Sequence, residues 1–142
     1  MSAAPAVLLD TEYIVVTLEH DGRIVRYRRT PVRFPDLATA QRIYSRVLTT
    51  YGQIGRAGRT LLIDSRDAVG RNDPEFEALL TQFRNQAIPG FVGHAVLMRT
   101  AVGLLQAQRI DRTLRSDRPA HLVTDNEEEA TRFLLSQLPA AP

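Results

Sequence analysis

The chain predicts a single α/β domain built on a mixed sheet, and three observations carry that prediction. Short apolar runs alternate with longer segments whose apolar residues recur at helical spacing. An Asp-Gly turn joins two such runs near the start, which makes the first pair antiparallel. After it, each strand is separated from the next by a helix-length segment, and such crossovers require parallel pairing and right-handed connections. The elements follow in the order ββαβαβαβα: about five strands, an N-terminal hairpin and then parallel crossovers, with about four helices.

Residues 1–11 read as a flexible N-terminal arm and 139–142 as a disordered tail, leaving 12–138 as the domain. Tyr13 to Leu18 is a strongly apolar strand. His20-Asp21-Gly22-Arg23 supplies the turn, and Ile24 to Arg29 returns as its partner. In the returning strand Val25 and Tyr27 share one face and Arg26 and Arg28 the other, as in an outer strand with one wet face. Phe34-Pro35-Asp36 leads into a helix with Leu37, Ala40, Tyr44, Val47, Leu48 and Tyr51 inward, and Gly52 as its stop.

Thr60 to Ile63 is a continuous apolar run ending at Asp64, as expected for a strand covered on both faces. Asn72-Asp73-Pro74-Glu75 offers an N-cap, a first-turn proline and a capping-box glutamate. The helix that follows buries Phe76, Leu79, Leu80, Phe83 and Ala87 and ends at Pro89-Gly90. Val92 to Met98 is the next strand. Thr100 caps a further helix with Val102, Leu105 and Leu114 inward and Arg109, Arg112 and Arg115 outward. Ala120 to Val123 is a short strand, and Asp125, with Glu128 three residues on, caps a last helix bearing Ala130, Phe133, Leu134 and Leu138.

Composition narrows the chemistry. With 142 residues, 44% of them hydrophobic, a single core can form, burying roughly 68–70% of the unfolded surface. The absence of cysteine excludes disulfides, thiolate metal sites and cysteine nucleophiles. His20, His94 and His121 have no i,i+4 pair among them, so no histidine-rich metal centre is expected. All 18 basic residues are arginine, against 16 acids. That +2 balance is too even to argue for nucleic acid. Codon bias explains the missing lysine more simply than selection does, but arginine still brings bidentate pairing with carboxylates. The N-terminus lacks a basic n-region, and no apolar run approaches the roughly 20 residues of a bilayer span. A cytoplasmic protein is expected.

The runs LLIDSRDAVGRNDPEFEALL, HAVLMRTAVGLLQAQRIDR and HLVTDNEEEATRFLL, with the hairpin before them, resemble the SpoIIAA-like proteins of the STAS superfamily, grouped also with SEC14-like domains. The likeness lies in element order and apolar pattern, over roughly residues 13 to 138. It implies a non-catalytic regulatory or protein-interaction module in bacterial signal transduction or, on the SEC14-like branch, a carrier or sensor of a small apolar or anionic ligand. Antagonists of this superfamily carry a phosphorylatable serine in a D-S-[ST]-G run. The matching turn here, Gly70-Arg71-Asn72-Asp73-Pro74, holds no serine or threonine, which excludes a phospho-switch there.

Ligands of open α/β sheets collect beyond the carboxyl ends of parallel strands. The candidates for a ligand or partner site are therefore Asp64, Ser65, Arg66, Arg71, Asn72, Asp73, Arg99 and Thr100. Arg26, Arg28, Arg29 and Arg33 form the densest basic patch, a candidate docking face for an acidic partner. Ser65, His94 and Asp64 contain the residue types of a hydrolytic triad but lack a G-x-S-x-G elbow, so no catalytic residue, cofactor or metal is expected. The glycine run from Gly52 to Gly58 follows a helix and precedes a strand, the reverse of a dinucleotide loop. A protein partner is the expectation, with a homodimer through a sheet edge or helix face as one form of it.

Overall fold

The structure, a computed structural model, describes residues 5–69, 73–99, 105 and 120–139. Six strands and three helices are found among them: β1 (Ala6–Asp10), β2 (Ile14–Glu19), β3 (Ile24–Arg29), α1 (Leu37–Ile54), β4 (Thr60–Asp64), α2 (Pro74–Ala87), β5 (Gly93–Leu97), β6 (Ala120–Thr124) and α3 (Glu127–Ser136). The strands lie side by side in chain order, antiparallel from β1 to β3 and parallel from β3 to β6. The predicted class is therefore correct. The helix predicted after Thr100 falls, apart from Leu105, outside the described residues.

One extra strand corrects the reading of residues 1–11 as an arm. The run AVLLD pairs with β2 through a register shift between Val7 and Leu9. Such a bulge re-aims side chains: Leu9 is buried and the adjacent Leu8 packs against the same core. Burial of Leu9, the packing of the half-buried Leu8 and a ladder to β2 outweigh the fraying expected of an arm. Thr11 locks the turn, since its Oγ donates to the Ile14 carbonyl at 2.7 Å and accepts from the Ile14 N–H at 2.9 Å.

A second correction concerns β3. It is not an outer strand, because β2 and β4 flank it. Val25 and Tyr27 face the larger core, under α1 and α2, with Ile14, Val16, Leu61, Ile63, Tyr44 and Phe83. Ile24 faces a smaller core on the opposite side, where Leu62, Ala95 and Leu97 meet Ala130 and Leu134 of α3. The continuous apolar runs of β4 and β5 follow from this double cover. The hairpin turn is as predicted at Asp21 and Gly22, whose φ values are positive, 56° and 82°, and Arg23 N–H closes it on the His20 carbonyl at 3.2 Å.

Helix ends depart from expectation by a residue or more. Asp36 caps α1 by accepting from the Thr39 N–H at 2.7 Å. The helix runs through Gly52 and stops at Gly55, where φ reaches 81°, a conformation that glycine adopts without steric cost. The cap of α2 is Asp73, not Asn72, and its side chain makes no capping bond; Pro74 opens the first turn. The cap of α3 is Asn126, not Asp125, and it accepts from the Glu129 N–H at 2.9 Å. In both helices adjacent residues of equal capping propensity compete, and the chain direction leaving the preceding segment decides between them.

Two loop arginines hold the far end of the molecule together. Arg56 Nη1 donates to the carbonyls of Gln86, Ala87 and Pro89 at 2.7, 2.9 and 2.7 Å, satisfying the last turn of α2. Arg59 does the same for α1, donating to Ile54 and Gly55, and it also ties in Gly22 of the hairpin. A positive charge at a helix carboxyl end is favourable as well as a donor.

Candidate functional site

The middle of β3, the carboxyl end of β4 and the amino end of α3 converge on one group of charges. Alternation along each strand sends Arg26 and Asp64 to the face that α3 covers, because they share parity with Ile24 and Leu62 of the smaller core. Thr17 of β2 stands opposite Arg26 in the ladder, which brings Glu19, two residues on, to the same face. The first turn of α3 presents Glu127 from above.

Arg26 donates from Nε to Glu19 at 2.8 Å and from Nη1 to Asp64 at 2.9 Å and Glu127 at 3.0 Å. Arg66 grips Asp64 with two parallel bonds, Nε at 3.0 Å and Nη2 at 2.8 Å. Its Nη2 also donates to Glu127 Oε1 at 2.8 Å. Thr17 Oγ supplies a further bond to Glu19 at 2.9 Å. Bidentate arginine–carboxylate pairing of this kind is both stronger and more directional than a point-charge contact.

Burial grades across the group. The Asp64 side chain is 2% exposed, Arg26 15%, Arg66 35% and Glu127 45%. Burial alone would raise the Asp64 pKa, but the hydrogen bonds from Arg66 and the charges of Arg66 and Arg26 outweigh it and hold the carboxyl below its ordinary range. The Asp64 hydrogen bond pushes the Arg66 pKa up. For Arg26 burial pulls the pKa down, yet bonds and charge from Glu19 and Glu127 leave it raised. Asp64, Arg26 and Arg66 are therefore held ionised.

Of the candidates for the strand-end site, Asp64 and Arg66 are brought together here. Ser65 is buried, its N–H continuing the ladder to the Leu97 carbonyl at 2.9 Å. Arg99 bridges Asp67 at 2.8 Å on the exposed rim, and Asp73 serves as the cap of α2. Arg71, Asn72 and Thr100 lie outside the described residues.

The basic patch does not form one face. Arg26 belongs to the ion network. Arg29 points to the other side of β3, where it donates to the Tyr13 carbonyl at 2.6 Å and lies 4.4 Å over the Phe34 ring. Arg33 is exposed and Arg28 half-buried. The residue types of a triad are likewise separated. His94 sits opposite Leu61 and Asp64 opposite Leu97, placing the imidazole on the α1–α2 face and the carboxylate on the α3 face. His94 is fully buried and stacks at 5.6 Å on His121 across the ladder. Among the described residues no group of three or more histidines and carboxylates has an arrangement that could hold a metal ion.

Sequence reasoning missed two members of the network. Glu19 was legible, since the hairpin register carries it to the side of Arg26. Glu127 was not, because its part depends on where α3 crosses the sheet. Comparison with protein-family models, with curated proteins and with solved structures found no match for this chain. Among the described residues no helix is long and apolar enough to cross a membrane.

Proposed function

We propose that this chain is a non-catalytic regulatory or protein-interaction module, of the kind the SpoIIAA-like resemblance implies, and that it docks a protein partner at the carboxyl end of its parallel strands. The observation that carries this reading is the graded ion network. Asp64, buried at its base, is already saturated by two arginines, so it lacks the raised pKa expected of a general base poised near neutrality. The outer members Arg66 and Glu127, with Arg99 and Asp67 beside them, present fixed charges of both signs to solvent. A charge mosaic held from beneath contributes specificity and orientation to docking more than raw affinity.

Photo-crosslinking tests the proposal. A photoreactive residue at Asp67 should give a discrete protein adduct in a lysate of the source cells, and Arg99→Glu should abolish it without changing Tm. An adduct with a second copy of the chain would identify the homodimer form of the same reading. No rim adduct, or one indifferent to Arg99→Glu, would count against docking at this face.

The second reading, a carrier or sensor of a small apolar or anionic ligand, draws on a different observation. The Tyr51 hydroxyl is wholly buried between the sheet and the helices with no hydrogen-bond partner among the described residues. A buried hydroxyl without a partner costs roughly 1–3 kcal/mol, which a bound molecule with an acceptor group would recover. Native mass spectrometry of gently purified protein should then show added mass, and removing it should lower Tm.

A further inference from the structure

Two guanidinium groups converge on one carboxylate oxygen at the rim. Arg26 Nη1 and Arg66 Nη2 lie 3.0 and 2.8 Å from Glu127 Oε1, and both also bond the single buried oxygen Asp64 Oδ2 at 2.9 and 2.8 Å. The two donors are thus positioned by a group beneath them and not by Glu127 itself. Their outward hydrogens define an oxyanion position whose present occupant is a 45% exposed side chain on the first turn of a ten-residue helix. We infer that the Arg26–Arg66 pair is a carboxylate-binding clamp, filled in the free protein by Glu127 and taken in the complex by an acidic side chain of the protein partner. The inference rests on the docking reading for the source of that carboxylate; the clamp itself does not.

The electrostatics select the ligand class. Glu19, Asp64 and Glu127 carry three negative charges against the two of Arg26 and Arg66, so removing Glu127 leaves the rest balanced. A monoanion restores the present state. A phosphate dianion would add a charge beside Asp64 and Glu19, and like charges at this range are costly.

Displacement has a mechanical consequence. Among the described residues Glu127 ties α3 by ion pairs to Arg26 of β3 and to Arg66 just beyond β4, and α3 covers Ile24, Leu62, Ala95 and Leu97. A partner carboxylate in the clamp therefore frees the amino end of α3, so that docking at the rim loosens the cover of the smaller core.

Chemical rescue tests the clamp without a partner in hand. Glu127→Ala should lower Tm, and sodium acetate at pH 7 should recover about half or more of that loss relative to sodium chloride at equal ionic strength. Sodium phosphate should recover less. Glu128→Ala is the control, since Glu128 is exposed in the same turn with no ion pair among the described residues, and it should show no acetate effect. If Glu127→Ala/Arg66→Gln folds, acetate should do nothing for it. In Glu127→Ala, NMR of the arginine Nε–H groups should show the Arg66 signal moving with acetate. Equal acetate responses in the parent, Glu127→Ala and Glu128→Ala, or an unmoved Arg66 signal, would overturn the clamp whatever the crosslinking gives. Stronger rescue by phosphate would overturn its selectivity for carboxylates. A rescued clamp with no rim adduct would leave the clamp standing and sink the docking reading.

Discussion

Asp64 is the side chain on which the site turns, and its surroundings define what its loss should do. Removing one member of a buried, hydrogen-bonded ion pair leaves the other charge uncompensated, a loss of about 3 kcal/mol or more. Asp64→Asn should therefore destabilise by about that amount in urea, against a near-neutral result for a solvated carboxylate such as Asp125. The pH dependence has a definite sign. The folded pKa of Asp64 lies below its unfolded value, so at acid pH the unfolded chain binds the proton first. The contribution of Asp64 is complete above the unfolded pKa, about 4, and is lost as pH falls through the folded one. Urea titrations from pH 6 down to 2 should show stability falling below about pH 4 in the parent and falling less in Asp64→Asn. Asp64 was legible as the polar residue that ends an apolar run. Arg26 was legible as a charge on one face of β3, but not as its partner, since pairing across β3 and β4 depends on a register that no local pattern encodes.

At the scale of elements the helix caps give the sharpest contrast. Asp36 and Asn126 make capping bonds and Asp73 makes none to its own helix. Asn126→Ala should cost about 1 kcal/mol, Asp36→Ala should also destabilise, and Asp73→Ala should cost less than either; urea unfolding of the three variants measures the order. Sequence patterns located every described helix and five of the six strands, because periodicity and turn chemistry are local. They missed β1, whose five residues look like any apolar tail until Leu9 is seen to complete the larger core. They also missed the carbonyl clamps of Arg56 and Arg59, which join loop residues to helix ends more than twenty residues away in one case. Nothing in the glycine run around these arginines marks them as caps. Arg56→Ala should destabilise the molecule beyond the effect of a surface arginine, by about 1 kcal/mol or more for the carbonyls left without a donor.

For the whole molecule, the sheet separates two interiors of different character. The α1–α2 side carries three tyrosines, Tyr27 and Tyr44 both against Phe83, at 5.7 and 4.3 Å, and Tyr51 edge-on to Phe91 at 5.2 Å. Burial raises the pKa of all three phenols. Above about pH 10 the unfolded chain loses these protons while the folded one keeps them, so stability should fall as pH rises from there. Absorbance at 295 nm should show ionisation of these three buried tyrosines rising together with loss of far-ultraviolet circular dichroism. The α3 side is smaller, aliphatic and tied at its rim by charge. It is there that docking is proposed, and such docking requires the rim charges to act as one unit built on the Arg26–Asp64 pair. A double-mutant cycle on Arg26→Gln and Asp64→Asn, followed by urea unfolding, measures that coupling most directly. An interaction energy of about 1 kcal/mol or more is expected; additive losses would mean that the rim charges act independently.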